Sequence, residues 1–280
     1  MCNLAITRFA TARLAGRRDG APSDPFVRAA LERAGASDAH ITLQSDFPVG
    51  AGLGGSSAAG VAMAAALAAF QDRRETPSEL AEWSRALEVE QMGIAGGRQD
   101  HYAAAYGGAL GLAFSAHTAV EQIPLSARFA EQLEGHCMLA YTGESRMSGT
   151  TITAVLDAYR ERVPRVVQAL ERMRDLAMSM RDAMRRENVA ELAVMVDEHW
   201  VHQRALHPGI TTPRIDAINA AARQAGAIGL KALGASGGGC VLIFVPDDAR
   251  DRVVHAVGSL ATFMPWSVSH VGVQVFDVDS

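Results

Sequence analysis

Residues 48–60, reading Pro-Val-Gly-Ala-Gly-Leu-Gly-Gly-Ser-Ser-Ala-Ala-Gly, carry the densest chemical signal in the chain. Gly50, Gly52, Gly54 and Gly55 free the backbone to turn its N–H groups toward one point, and Ser56 and Ser57 open a helix-forming run behind them. Such a loop at a helix N-terminus makes an anion site, because unpaired donors and the positive end of the helix dipole converge there. A phosphate group is the expected guest. No Lys precedes the serines, so this is not a Walker-type loop. The structural alternative is a glycine turn that packs a helix closely on a sheet. A serine hydroxyl at the helix start can reach Mg²⁺, from Ser57 or from Ser56; for either the alternative is a helix cap. Magnesium also needs a hard oxygen ligand, and Glu88 and Glu90 face different sides of one predicted helix. Asp100 follows the Gly96-Gly97 turn, where a helix start favours an ionised carboxylate; it can take a proton from a hydroxyl or simply cap the helix. A second glycine loop, Gly234 to Gly239, lies between two apolar runs. Three consecutive glycines exceed what a hairpin turn requires, so Gly234, Gly237 and Gly238 are further candidates for phosphate contacts. Arg98 and Arg146 are candidates for substrate binding, since guanidinium holds phosphate bidentately.

The elements that must position these residues follow from pattern. Leu4 to Leu14 reads as a strand, Asp24-Pro25 opens a helix through Ala34, and Ile41 to Ser45 is a strand feeding the first loop. Ser56 to Phe70 is a helix, small and apolar on nearly every face. Thr76-Pro-Ser-Glu79 is a capping signature for a helix through Met92. A short helix spans Asp100 to Ala105, with strands at Ala109 to Phe114, Val120 to Pro124 and Cys137 to Tyr141. Helices are expected over Ile152 to Arg185, broken or kinked at Pro164, and over Val189 to Leu206 and Ile215 to Ala225. Strands follow at Ile228 to Leu233 and Val241 to Val245, a helix runs from Pro246 through Leu260, and Val268 to Val278 alternates as a last strand. Interleaved helices and strands of this kind indicate an α+β fold. The pattern changes around Ser126 to Glu134, which sets the expected boundary between domains at 1–130 and 131–280.

Composition excludes several classes. With 280 residues, 49% hydrophobic, the chain can bury a sizeable core. A net charge of −5 leaves no basic field for nucleic acid. No apolar run of eighteen residues occurs, so no membrane span is expected. Three dispersed cysteines suit neither a disulfide framework nor a zinc site, and fit a reducing cytoplasm. The nine histidines include no pair at i, i+4 and read as ordinary core or surface residues.

Three segments in order resemble the GHMP kinase superfamily: the first glycine loop, the stretch from Glu88 to Gly108, and Lys231 to Gly239. Within it the chain is most similar to the D-glycero-D-manno-heptose 7-phosphate kinase branch, through Gly54-Gly55, Gly97-Arg-Gln-Asp100-His-Tyr-Ala103 and Tyr141 to Arg146. The resemblance covers about residues 40 to 245. It implies an S5-like N-terminal lobe and a ferredoxin-like C-terminal lobe with ATP between them. It further implies Ser57 and Glu88 on Mg²⁺, Asp100 as catalytic base, and direct transfer to a sugar or sugar-phosphate hydroxyl, such as that of a heptose 7-phosphate. A homodimer is the assembly to consider. The chain departs from the family in several places, and its segment from Leu14 to Ala39 is shorter than the family's usual hairpin and connection. It carries no Pro-x-Arg-x-x-x-x-Gly-Gly-Gly-Thr-Asp motif, Ser236 stands where the third motif has a glycine, and His101 replaces a Gln. The missing motif leaves two other readings open: a nucleotide-binding protein without catalysis, and an incomplete chain of an active kinase.

Overall fold

The computed structural model describes residues 1–16, 22–145 and 149–277. Two compact units emerge. The smaller holds Leu4–Pro48, Gly54–Gly108 and the chain from Ser269 on; the larger holds Met1–Asn3, Val49–Leu53 and Ala109–Val268. The division therefore runs along other lines than a single cut near residue 130.

The strand expected from Leu4 to Leu14 is two strands, β1 (Cys2–Leu4) and β2 (Ala10–Gly16). Between them the backbone bonds elsewhere: Ala5 N–H donates to the Gly108 carbonyl at 2.8 Å, and Phe9 N–H to the Asp46 carboxylate at 2.9 Å. In the smaller unit β2 pairs antiparallel with β3 (Ala39–Ser45). Helix α1 (Pro25–Ala34) starts at Asp24, which accepts from Phe26 N–H, and closes on Gly35 at φ 63°. Helix α2 (Gly55–Phe70) is alanine-rich, and small residues on most faces let it pack closely among its neighbours. Helix α3 (Pro77–Ala86) carries the full capping box of Thr76 and Glu79. Helix α4 (Gln99–Tyr106) follows. The core of this unit is built from Val27, Leu31, Ile41, Met63, Leu67 and Leu87.

The larger unit contains two sheets. One has the order β1-β4-β5, with β4 (Ala109–Phe114) and β5 (Thr118–Ile123) in antiparallel register. The other is antiparallel with order β7-β8-β6-β9, formed by β6 (Cys137–Tyr141), β7 (Gly229–Ala232), β8 (Cys240–Phe244) and β9 (Thr262–Met264). Helix α5 (Ala127–His136) occupies the region where a domain boundary was expected; Ser126 caps it. Pro164 does break the long helix, giving α6 (Gly149–Arg160) and α7 (Pro164–Arg185), since proline is tolerated in a first turn but not inside a helix. Helices α8 (Val189–Leu206), α9 (Pro213–Gln224) and α10 (Arg250–Val257) complete the unit. Its core joins Trp200, Ile215, Ile218, Leu230, Ile243 and Val253.

The last strand was misplaced by the sequence pattern. β9 lies at Thr262–Met264, while the stretch after Val268 is not a strand. Alternation there reflects an extended segment held by isolated bonds, such as Gly108 N–H to the Ser269 carbonyl at 2.7 Å and Val273 N–H to the Ala105 carbonyl at 3.3 Å. Among the described residues no helix is long and apolar enough to cross a membrane.

Candidate active site

The smaller unit assembles a polar cluster at the start of α2. Sequence periodicity predicts α3 continuing through Met92, but the α-helix ends at Ala86 and one π-helical turn, Leu87–Gln91, follows. Its wider spacing shows in the Met92 N–H to Leu87 carbonyl bond at 3.1 Å. Single π turns of this kind inside helices recur at functional sites. Leu87 and Glu88, which open the turn, are both buried. Glu90, two residues on, is 62% exposed and lies 3.8 Å from Arg85.

Both oxygens of Glu88 are engaged. Ser56 Oγ donates to Oε1 at 2.5 Å; His101 Nε2 lies 3.1 Å from Oε2, and Ser57 Oγ lies 3.4 Å from it. Burial works to raise the Glu88 pKa, but the hydrogen bonds from His101 and Ser56 outweigh it, and the carboxyl titrates below its ordinary value. Glu88 is therefore a buried carboxylate anion beside two hydroxyls. A cluster of hard oxygens suits Mg²⁺, which takes few protein ligands and keeps waters or phosphate oxygens for the rest. Among the described residues no group of three or more His, Cys, Asp or Glu side chains that could hold a metal ion occurs.

Asp100 sits in the first turn of α4, and the residue at the N-cap position is Arg98, which makes no side-chain cap bond. Asp100 is thus not the N-cap residue of α4. Its side chain reaches the glycine loop: a Cβ added to Gly54 would lie 2.8 Å from Asp100 Cβ and 3.0 Å from its Cγ. Gly54 also adopts φ 72°, open mainly to glycine. Arg98 is half-buried with its guanidinium 3.6 Å from Glu82, which also accepts from the Tyr102 hydroxyl at 2.8 Å. Arg146, the other candidate for substrate binding, lies outside the described residues.

In the larger unit the first half of the same loop meets the second glycine loop, backbone on backbone. Cys240 N–H donates to the Ala51 carbonyl at 2.7 Å, and a Cβ on Gly52 would stand 3.0 Å from the Leu233 carbonyl oxygen. A Cβ on Gly234 would lie 3.1 Å from Gly52 Cα. Gly237 N–H donates to the Ile210 carbonyl at 2.9 Å, so this amide anchors the loop. Gln203 on α8 donates to the Gly234 carbonyl at 3.1 Å. Ser236 takes φ 64°, meeting a backbone demand that glycine meets without strain, and its hydroxyl is buried. On α8, burial first, then Lys231 and His202, push His199 down to about 3, leaving it neutral.

Two family models match this chain: the GHMP kinase N-terminal domain over residues 25–108 and the GHMP kinase C-terminal domain over residues 180–261, together more than half of its length. The chain belongs to the GHMP kinases. Mevalonate kinase of Pyrococcus furiosus is 27% identical over 243 residues, covering 85% of this chain and 69% of that protein. D-glycero-alpha-D-manno-heptose 7-phosphate kinase of Campylobacter jejuni is 27% identical over 215 residues, covering 76% of this chain and 63% of the relative. The chain thus spans about two thirds of the length of these GHMP relatives. In fold it is similar to a D-glycero-D-manno-heptose 1-phosphate kinase from Bacteriodes thetaiotaomicron, with a TM-score of 0.75 at 20% identity over 99% of this chain and 90% of that one. The GHMP kinase fold, mixed in helix and strand, is therefore the architecture on which Glu88, Ser56, Ser57 and Asp100 are mounted.

Sequence reasoning missed His101. It is wholly buried, and besides Glu88 it meets Ser84 Oγ through Nδ1 at 2.9 Å. Ser84 has no motif around it. The one available signal was the departure at position 101, inside a family motif and next to Asp100.

Proposed function

We propose that this GHMP kinase transfers the γ-phosphate of ATP to a hydroxyl of a sugar phosphate, a heptose 7-phosphate or a similar sugar. The observation that carries the reading is the buried, ionised Glu88 beside Ser56 and Ser57 at the N-terminus of α2, with Asp100 packed on Gly54 in the same unit. Phosphoryl transfer asks for little covalent chemistry from the protein; it asks for held phosphates, a neutralising cation and a positioned acceptor. Magnesium, when bound, would supply that cation, and Glu88 with Ser57 or Ser56 would hold it.

The protein's own contributions follow. Backbone N–H groups of the first glycine loop and the α2 dipole attract phosphate. Glu88 offers a charged oxygen that needs no proton loss at neutral pH. Asp100 accepts the proton of the acceptor hydroxyl as its oxygen bonds to the γ-phosphorus, while the bond from that phosphorus to the β–γ bridging oxygen breaks and ADP departs. No covalent enzyme intermediate is needed. The sugar-phosphate class rests on the similarity to the Campylobacter relative and on the motif around Asp100. Mevalonate kinases match equally well over a larger share of the chain, so an acceptor panel must include mevalonate.

The test is ADP release with Mg²⁺–ATP over a panel of hexose and heptose phosphates, free sugars and mevalonate. Turnover on a sugar phosphate above the other classes is expected. Turnover on mevalonate alone would overturn the substrate class, and nucleotide binding with silence on every acceptor would overturn catalysis.

A further inference from the structure

We propose that His101 is a positioning residue that pins Oε2 of Glu88, so that the carboxylate presents Oε1, with Ser56 beside it, to the divalent cation. The proposal deepens the metal role given to Glu88 above and rests on it. His101 has no exposed surface, and the Glu88 side chain is 9% exposed, so the contact is shielded from water. Proton bookkeeping gives the direction of the bond. Ser84 Oγ lies 2.9 Å from Nδ1 and 3.1 Å from the Ser57 carbonyl, and it has one proton to give. When that proton goes to Nδ1, the ring's own proton is on Nε2, and Nε2–H donates to Oε2 at 3.1 Å. The opposite tautomer would set a bare Nε2 lone pair against a carboxylate oxygen, with only the Ser57 hydroxyl, 3.4 Å away, to offer it a proton.

The Ser84 support is itself enforced by packing. A Cβ on Gly60 of α2 would fall on Ser84 Oγ and 3.2 Å from its Cβ, so only glycine there lets α3 approach closely enough for the chain Ser57 carbonyl–Ser84–His101–Glu88 to close. Partners of this kind around a metal ligand are commonly worth about 10- to 100-fold in metal affinity. A carboxylate bonded on one oxygen only can rotate or bind the ion through both, and loses its fixed angle to the ion. Glutamine at position 101 would carry an N–H₂ to about the same place, whereas leucine would fill the space and donate nothing.

The experiment measures Mn²⁺ binding by electron paramagnetic resonance on the full chain with ADP at saturation, and ADP affinity by calorimetry. The variants are Glu88→Gln, His101→Leu, His101→Gln and Ser84→Ala, each checked for a cooperative melt. The expected result is Mn²⁺ binding weakened about tenfold by His101→Leu, restored to within about twofold by His101→Gln, and weakened by a smaller factor in Ser84→Ala, with ADP affinity unmoved. Equal weakening by leucine and glutamine would reduce His101 to packing and overturn the proposal. Loss in Glu88→Gln with wild-type binding in His101→Leu would overturn the positioning role and leave the metal role of Glu88 standing. Wild-type binding in Glu88→Gln, or no Mn²⁺ bound by the unaltered protein, would overturn both. Should His101→Leu fail to fold, Ser84→Ala decides against His101→Gln: a loss in the first and none in the second supports the proposal, and no loss in either overturns it.

Discussion

Gly52 and Gly54 stand two residues apart in one loop and share nearly the same backbone angle, φ 73° and 72°. Their surroundings differ in kind. Gly52 belongs to the larger unit and faces main chain, the carbonyl of Leu233 and the amide nitrogen of Gly234. Gly54 belongs to the smaller unit and faces a side chain, that of Asp100. At these two positions the larger unit packs the loop against backbone and the smaller unit packs it against a carboxylate side chain. A backbone cradle can hold a phosphate of any nucleotide; on the proposed function, proton transfer and metal choice fall to the side-chain cluster of the smaller unit.

This contrast can be broken by substitution. The largest effect is expected for Gly52→Val. A β-branched residue at positive φ is a strained outlier, and its Cβ would press on the Leu233 carbonyl. ATP affinity measured by calorimetry should fall by more than about tenfold, with a lowered melting temperature from about 1–3 kcal/mol of backbone strain. Gly54→Ala should act differently: it displaces Asp100, so the rate should fall more than nucleotide affinity does. Equal effects of the two variants on affinity and rate would erase the distinction between the two halves of the loop. Next in size, Glu88→Gln should move the magnesium concentration for half-maximal rate up about tenfold; an unchanged titration would remove Glu88 from the metal.

A smaller effect should appear in acid. The folded-state pKa of Glu88 lies below its ordinary value of 4.5, so its ionisation contributes stability that is present above that value. The contribution is lost as pH falls through the lowered folded-state value. Melting curves of the wild type and Glu88→Gln should therefore converge below about pH 4.5 relative to their separation at neutral pH; a separation that widens in acid contradicts the assignment. Smallest of all, Arg98→Ala should cost less than about 1 kcal/mol in chemical denaturation, since its partner Glu82 is partly exposed. A loss of affinity for a sugar phosphate in that variant, without loss of stability, would return Arg98 to the substrate.

The backbone half of the site was legible because glycine spells out its own conformation. Gly50 to Gly55 and Gly234 to Gly239 announced loops, and the caps at Asp24, Thr76 and the break at Pro164 announced helix ends, all from residues close in sequence. The side-chain half offered candidates only where one residue type suffices, as for Glu88 and Asp100, whose roles belong to the proposed function. His101 was passed over because its contacts are with Glu88 and Ser84, brought to it by folding. The π turn was hidden as well, because nothing in Leu87 to Gln91 breaks a helix. The final strand was misplaced because alternation over Val268 to Val278 marks an extended chain without specifying a partner to bond.

Asp100→Asn tests the central claim most directly. ADP release is followed with the best acceptor of the panel, for wild type and variant, beside calorimetry with ATP and a melting curve. The amide has nearly the same shape but cannot take the hydroxyl proton, and a positioned acid–base group is worth about a hundred- to ten-thousand-fold. The account predicts a rate loss in that range with ATP affinity and melting temperature unchanged. Transfer at the wild-type rate by Asp100→Asn would contradict it.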